Sequence, residues 1–242
     1  MRKIAFLHAS PAALTPLAHY YKQAAPDLEI TNLLDDGLLR LFAAGAWAVV
    51  ELRLGEMLAT ARDVHAAEAA LLTCSAVPGP ILARLRRTAG LPVLKIDESV
   101  ARAAVRAGRR IGLVVTFPPT LETSRTLLED AAAEVGISID IVSRLVPQAY
   151  DALLAGDAAT HDQQVLTAIE ELTAEGVEVI VLAQVSMARV LPSVEGRIAV
   201  PILSSLHTSL EALRELLAER PSSPAEVPAP GHGNPCGQGR GA

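Results

Sequence analysis

The feature that most constrains the fold of this chain is an internal repeat. The stretch IAFLHASPAALTPL, which begins at Ile4, aligns with IGLVVTFPPTLETS, which begins at Ile111, at an offset of 107 residues. Both stretches run from a short apolar segment through a turn of small residues, which contains Pro11 or Pro118, into a segment of helical character. A repeat of this length implies that two copies of one supersecondary arrangement make up most of the chain.

Two further pairs of segments repeat at almost the same offset. LLTCSAV aligns with VLAQVSM, which places Cys74 on Gln184 at an offset of 110 residues. LPVLKI from Leu91 aligns with VPILSS from Val200 at an offset of 109 residues. One such match could arise by chance, because joints between strands and helices look alike. Three matches near one offset indicate a duplication.

Short apolar segments alternate with helical ones along both copies. The predicted strands cover residues 4–8, 28–33, 70–74, 93–96, 111–116, 137–142, 179–184 and 202–205. Helices are predicted at 119–135 and 161–174, where Gly136 and Gly176 provide the C-terminal stops. Apolar strands that alternate with helices form parallel sheets covered on both faces. The predicted fold is therefore α/β, with two pseudo-symmetric halves that each hold a short parallel sheet flanked by helices.

Composition excludes several classes of function. A net charge of −6 argues against a nucleic-acid partner, and the absence of 18 consecutive apolar residues argues against a membrane span. No glycine-rich phosphate loop is present, so we expect no nucleotide or nicotinamide cofactor. The two cysteines lack a disulfide or zinc spacing, which predicts a cytoplasmic protein without a metal site. The Pro-, Gly- and Ser-rich tail at 221–242, which contains Cys236, is predicted to be disordered.

Small polar residues follow the predicted strands of both copies. Ligands of open α/β sheets bind at the carboxyl ends of the strands, so these side chains should meet in a cleft between the halves. Hydroxyls and backbone N–H groups at such an edge suit a small carboxylate, which is the partner that we expect. The candidates at the strand ends are His8, Ser10, Thr73, Cys74, Ser75, Thr116, Gln184, Ser186 and Ser204–Ser205.

Three of these stretches, LLTCSAVP, IGLVVTFPPTLE and VIVLAQVSMA, resemble the aspartate/glutamate/hydantoin racemase superfamily. The resemblance covers residues 1–218. The first catalytic cysteine of that superfamily matches Cys74, which precedes Ser75. The second lies in a motif similar to Leu-Gly-Cys-x-Gly-Met-Ala, and residues 182–188 of this chain match it with Gln184 at the cysteine position.

The resemblance implies a fold division and an activity. It implies that the last helix, near residues 206–217, crosses back onto the first half, so residues 1–97 with 206–220 form one half and 98–205 the other. It also implies an enzyme without a cofactor that acts at the carbon beside a carboxylate. An amino acid, a hydantoin-like compound or a dicarboxylic acid would be the substrate. Members of this superfamily often form homo-oligomers.

The residue at position 184 limits the chemistry. Inversion of a carbon centre needs a base on one face and an acid on the other, and a glutamine amide can only form hydrogen bonds. Cys74 could remain as a base or a nucleophile in a one-sided proton transfer, a decarboxylation, or a cis–trans isomerisation like that of maleate isomerase. Alternatively His8 or His207 could replace the missing thiol. A non-catalytic protein that binds small acids is the alternative from another class.

The remaining candidates have structural alternatives. Ser10, Thr116, Thr120 and Ser186 could bind the substrate carboxylate, but hydroxyl side chains are also common helix caps. Tyr150 could reach the cleft with its hydroxyl. Asp97 is expected to cap the helix that follows it. Backbone N–H groups at the start of the helix after Cys74 are expected to lower the pKa of the thiol, because a thiolate is the reactive form.

Overall fold

The computed structural model describes residues 1–219 of the chain. The tail predicted to be disordered, residues 221–242, and Cys236 lie outside the described residues.

The described chain contains two four-stranded sheets in which every strand pairing is parallel. The strand order is β2-β1-β3-β4 in the first sheet and β6-β5-β7-β8 in the second. The strands are β1 (Arg2–His8), β2 (Leu28–Leu34), β3 (Ala69–Leu72), β4 (Val93–Lys95), β5 (Arg110–Val115), β6 (Asp140–Leu145), β7 (Val179–Leu182) and β8 (Ile202–Ser204).

Helices connect these strands and cover both sheets. They are α1 (Pro11–Ala24), α2 (Leu38–Ala43), α3 (Trp47–Asp63), α4 (Gly79–Thr88), α5 (Glu98–Ala107), α6 (Thr120–Glu134), α7 (Pro147–Leu154), α8 (Ala158–Ala174), α9 (Leu191–Val194) and α10 (Ser205–Ala218). A 3-10 helix (Val185–Val190) follows β7.

The identical strand order of the two sheets confirms the predicted α/β fold with pseudo-symmetric halves. The central strands β3 and β7 are buried at every position, which is why they read as uninterrupted apolar runs in the sequence. Close packing of helix on sheet requires a glycine at one point. A Cβ at Gly112 would lie 3.1 Å from Leu172 and 3.2 Å from Ile180, which is tighter than ordinary contact.

Two local predictions are wrong. The predicted strand at 137–142 begins only at Asp140, because the chain first has to cross from the end of α6 to the edge of the second sheet. Asp97 does occupy the position before α5, but its side chain makes no capping hydrogen bond. It pairs instead with Lys95, at 3.1 Å.

The last helix contacts both halves. The Tyr21 hydroxyl of α1 lies 3.0 Å from Ser209 of α10, and Ser99 of α5 lies 2.9 Å from Thr208. The division into residues 1–97 with 206–220 and residues 98–205 stays a prediction. Within residues 1–219, no helix is both long and apolar enough to cross a bilayer. The cytoplasmic location stays a prediction as well.

Candidate active site

The carboxyl ends of the central strands of both sheets meet around a small cavity of about 40 Å³. Both halves contribute to its wall. The predicted site residues that line it are Ser10, Thr73, Cys74, Ser75, Thr120, Gln184 and Ser186, together with Tyr150. The cleft predicted between the halves is therefore present, and most of the residues predicted from the strand ends converge on it.

Cys74 lies two residues beyond the end of β3 and is partly buried. Burial raises the pKa of its thiol to about 12, although a hydrogen bond from the backbone N–H of Ala76 and the charge of Lys95 act in the opposite direction. The expected lowering of this pKa is wrong for the unliganded protein, because desolvation outweighs the nearby donors. Cys74 therefore carries its proton at neutral pH.

A buried ion pair lies close enough to act on this thiol. Lys95 at the end of β4 and Asp97 are joined at 3.1 Å, and each side chain is 4% exposed. Lys95 lowers the pKa of Cys74 and Asp97 raises it, so the two influences oppose each other. Burial raises the pKa of the Asp97 carboxyl itself, against the attraction of Lys95. Its Oδ1 has no hydrogen-bond partner among the described residues.

Gln184 occupies the position beyond β7 that corresponds to Cys74 beyond β3. Its side-chain oxygen accepts hydrogen bonds from the backbone N–H and the hydroxyl of Thr116, at 3.1 Å and 3.2 Å. Because both groups donate, the oxygen faces Thr116 and the amide nitrogen is left for another partner. That nitrogen is buried and has no partner within residues 1–219.

A second unpartnered polar group lies two residues further along. The Ser186 hydroxyl, on the 3-10 helix, is buried without a hydrogen-bond partner among the described residues. An unsatisfied buried donor costs about 1–3 kcal/mol, so two in one cavity indicate a site that an acceptor completes. A carboxylate is an acceptor that could satisfy both.

Ser10 and Tyr150 join the two halves at the cavity wall. The Tyr150 hydroxyl donates to Ser10 Oγ at 2.7 Å, and Ser10 Oγ also accepts from the N–H of Ala12 at 3.2 Å. Ser10 therefore caps α1 while it lines the cavity. The ring of Tyr150 packs against Phe117, with the ring centroids 5.4 Å apart.

The hydroxyls of Ser75 and Thr116 are engaged within the protein. Ser75 donates to the carbonyl of Ala183 in the other half at 2.9 Å, and Thr123 donates to the carbonyl of Ser75 at 2.8 Å. Thr116 holds Gln184, as described above. Ser75 and Thr120 line the cavity, whereas Thr116 lies behind Gln184.

Neither histidine considered as a substitute for the second thiol lines the cavity. His8 is fully buried, with Nδ1 2.9 Å from the Thr73 hydroxyl and Nε2 2.9 Å from Asn32. Burial lowers the pKa of His8, so it is neutral at neutral pH. His207 lies on α10 against Tyr20 and lines a different groove.

Leu39, Phe117 and Lys95 contribute to the site or its surroundings but were missed by the sequence reasoning. Leu39 and Phe117 line the cavity, and Lys95 forms the ion pair that acts on Cys74. Phe117 follows Thr116 directly at the end of β5, so its position in the repeat could have identified it. Leu39 and Lys95 carry no local signal, since an aliphatic residue near a turn and a lysine within a strand are both common.

Among residues 1–219, no group of three or more His, Cys, Asp and Glu side chains is placed to hold a metal ion. The expectation that the protein uses neither a metal nor a cofactor stays a prediction.

The chain matches one protein-family model. The model described as Asp/Glu/hydantoin racemase matches residues 29–213, which is more than half of the chain. No curated protein sequence matches the chain significantly.

Solved structures share the fold at low sequence identity. A glutamate racemase isoform from Bacillus anthracis is 20% identical, with a TM-score of 0.68 over 90% of this chain and 82% of that chain. An allantoin racemase from Klebsiella pneumoniae is 19% identical, with a TM-score of 0.64 over 90% and 89% of the two chains. An arylmalonate decarboxylase is 21% identical, with a TM-score of 0.58 over 88% and 91%. These similarities show a common fold.

Proposed function

This chain belongs to the Asp/Glu/hydantoin racemase family, and we propose from that premise that Cys74 delivers a proton to one face of the carbon beside a carboxylate. The family makes the protein a racemase-type enzyme. One observation carries the finer proposal: a protonated thiol and an amide occupy the equivalent positions of a single cavity. A small carboxylic acid is the substrate, and the reaction uses no cofactor.

The protonation state of Cys74 favours the role of an acid. A base or a nucleophile has to be a thiolate, and burial keeps this thiol protonated far above neutral pH. A proton donor has to carry its proton before the reaction, which is the resting state of Cys74. The desolvation of the thiol therefore supports proton delivery more directly than proton removal or covalent addition.

Gln184 and Ser186 supply the binding side of the proposal. Among the residues that line the cavity, the amide nitrogen of Gln184 and the hydroxyl of Ser186 are the buried donors that have no partner within the described part of the chain. A substrate carboxylate that accepts from both would be held at a fixed orientation to Cys74. The same hydrogen bonds would stabilise the negative charge that develops on these oxygens when an enolate forms.

Decarboxylation is the reaction that needs only Cys74 as a proton donor and Gln184 and Ser186 as hydrogen-bond donors to a carboxylate. The bond between the carbon centre and one carboxylate breaks, carbon dioxide leaves, and the electron pair remains as an enolate of the other carboxylate. The Cys74 S–H bond then breaks as its proton forms a new C–H bond. The thiolate regains a proton from water, so one turnover consumes one proton and leaves the enzyme unchanged.

Racemisation is a second candidate, and the position of Tyr150 favours it. Tyr150 lines the cavity, and its hydroxyl donates to Ser10 at 2.7 Å. A phenol can exchange a proton, whereas Gln184 cannot. In this alternative Cys74 and Tyr150 would act on opposite faces of the carbon. Racemisation needs one of these two groups to act as a base, and burial raises the pKa of both Cys74 and Tyr150, which places this candidate second.

Proton NMR in heavy water tests the proposal on a panel of substituted malonates, amino acids, hydantoins and maleate. We expect the enzyme to release carbon dioxide from a malonate and to place one deuteron on the new C–H position. Cys74→Ala should abolish this incorporation. Cys74→Ser is the matched variant, because a hydroxyl of similar size is a much weaker acid and should give only residual turnover.

The outcomes separate the alternatives. Racemisation would be supported if deuterium entered an amino acid while the amount of that acid stayed constant. This exchange should then be lost in both Cys74→Ala and Tyr150→Phe. An acid that binds but shows neither exchange nor turnover would support a non-catalytic binding protein. Turnover that persists unchanged in Cys74→Ala would exclude the proposed role of the thiol.

A further inference from the structure

The cavity beside Cys74 is too small to hold an entire substituted acid. Its volume is about 40 Å³, and roughly 10–15 Å³ of such volume accommodates one water molecule. About three non-hydrogen atoms therefore fit, which is the number in one carboxylate group. The rest of a larger substrate has to lie in a space that continues from the cavity.

A groove between α1 and α7 adjoins the cavity and is the candidate for that space. It has a volume of about 550 Å³, and Ala12 and Ser186 line both this groove and the cavity. The buried Ser186 hydroxyl, which has no partner among the described residues, thus lies at the junction of the two spaces. A ligand that accepts a hydrogen bond from Ser186 would have its remaining atoms at the mouth of the groove.

The groove that is related to it by pseudo-symmetry has no such junction. This α4/α6 groove is lined by residues of α2, α4 and α6, has a volume of about 680 Å³, and shares no lining residue with the cavity. Ala76, fully buried, stands at the position equivalent to Ser186. The hydrogen bond from the Thr123 hydroxyl to the carbonyl of Ser75 lies along the wall between this groove and the cavity. Of these two grooves, only the one between α1 and α7 therefore shares wall residues with the cavity that holds the thiol.

The wall of the α1/α7 groove is mostly apolar. Pro11, Pro16, Leu153 and Leu154 line it, and Leu154 is 49% exposed. Its arginine, Arg189, is already paired, with Nε 2.8 Å and 3.1 Å from the two carboxylate oxygens of Asp162. Because that pairing neutralises the charge, apolar contact is the main interaction that the groove offers.

We propose that the α1/α7 groove binds an apolar side group of the acid whose carboxylate occupies the cavity beside Cys74. The inference rests on the proposed function, because it takes the cavity as the carboxylate site. It deepens that function by naming the substrate class: carboxylic acids that carry an uncharged side group of several carbons on the reacting carbon. The side group leaves the cavity past Ser186, so the acid binds in one orientation only.

Titration of the labelled protein with acetate, butyrate and hexanoate, followed by ¹H–¹⁵N NMR, tests the inference. The amide of Ala76 reports on the cavity and that of Leu154 on the groove. We expect all three acids to shift the Ala76 signal, and only the longer acids to shift that of Leu154. Affinity should rise about fourfold for each methylene group that enters the groove.

Two tryptophan variants provide a matched comparison. Thr15 and Thr126 are exposed residues of the α1/α7 and α4/α6 grooves, respectively. Thr15→Trp should weaken hexanoate binding at least tenfold and leave acetate binding unchanged, whereas Thr126→Trp should affect neither. Leu154→Arg, a second exposed position in the α1/α7 groove, should repeat the effect of Thr15→Trp if that variant proves unstable.

The results distinguish failure of this inference from failure of the proposed function. Hexanoate that shifts Ala76 but not Leu154, or that binds no better than acetate, would overturn the groove assignment and leave the carboxylate site intact. Equal weakening by Thr15→Trp and Thr126→Trp would overturn it too. If no acid shifts the Ala76 signal, the carboxylate site itself is wrong, and the groove assignment falls with it.

Discussion

The Gln184 side-chain oxygen accepts two hydrogen bonds from Thr116, one from the backbone N–H at 3.1 Å and one from the hydroxyl at 3.2 Å. This pairing fixes the direction of the amide, so its nitrogen remains the free donor at the position that corresponds to Cys74. The second half of the duplicated scaffold thus presents a hydrogen-bond donor where the first half presents a thiol.

Gln184→Cys should change the type of reaction. It places a second thiol at the equivalent position, so each half then presents a thiol that can exchange a proton. We expect this variant to exchange the proton beside the carboxylate of both enantiomers of a chiral acid, where the unaltered enzyme does not. Chiral chromatography with deuterium NMR measures the change.

Gln184→Ser is the control for that substitution, because it removes the amide and adds no thiol. It should weaken carboxylate binding without producing exchange. Exchange at similar rates in the serine and cysteine variants would contradict the role given to the second thiol, because the serine variant has no thiol at position 184.

Alkylation of Cys74 should depend steeply on pH. Burial raises the pKa of the thiol to about 12, so the fraction of thiolate increases tenfold per pH unit throughout the range 7–10.5. The rate with iodoacetamide, measured by mass spectrometry in a Cys236→Ser background, should rise with a slope near one on a logarithmic scale. A plateau below pH 9 would mean that the folded protein stabilises the thiolate.

The stability of the fold should decrease in mild acid through His8. Burial lowers the pKa of His8 from its ordinary value of 6.5, so below pH 6.5 the unfolded chain binds a proton more readily than the folded protein does. The free energy of unfolding therefore falls as pH drops from 6.5 toward the lowered pKa, by at most about 1.4 kcal/mol per pH unit from this group.

His8→Gln removes that titration and retains a donor and an acceptor for Asn32 and Thr73. Urea unfolding at pH 8 and at several pH values below 6.5 measures the contribution. The variant should show a shallower loss of stability in acid than the parent protein. Parallel pH curves for the two proteins would rule out a role for His8.

Asp97→Asn should destabilise the protein strongly. The substitution removes the negative partner of Lys95, and both side chains are 4% exposed, so a buried charge is left uncompensated. Loss of one partner of a buried ion pair typically costs about 3–5 kcal/mol. Urea unfolding of the single variant should show a decrease of that size.

Replacing both partners provides the comparison. Lys95→Met combined with Asp97→Leu leaves no charge to compensate and should recover most of the lost stability, because apolar residues of similar volume often substitute well for a buried pair. A single variant that loses less than about 1 kcal/mol would show that Lys95 reaches water when its partner is absent.

The fold could be predicted from the sequence because both of its signals are local. Apolar runs such as those around Leu71 and Val181 identify buried parallel strands wherever they lie in space. The register of the repeat then relates the two halves, and it makes Cys74 and Gln184 equivalent positions. The start of β6 was misplaced because an edge strand is only partly buried and its apolar pattern merges with the preceding turn.

The candidate site was predicted only in part, because the sequence shows where a residue lies along the fold but not which groups surround its side chain. Strand ends can be read from the sequence, so Ser10, Cys74 and Gln184 were identified. The partners of a side chain depend on segments far away in the chain. The Ser75 hydroxyl, for example, bonds the carbonyl of Ala183, which is 108 residues distant.

The sequence by itself determined the duplicated α/β scaffold and the exchange of a thiol for an amide at one of its two equivalent positions. Those features follow from residue type, periodicity and spacing. Only the tertiary structure decided the protonation of Cys74, the burial of the Lys95–Asp97 pair, and which of two equivalent grooves shares wall residues with the cavity. Each of these depends on how much water the surrounding segments exclude, and that exclusion arises only when distant parts of the chain pack together.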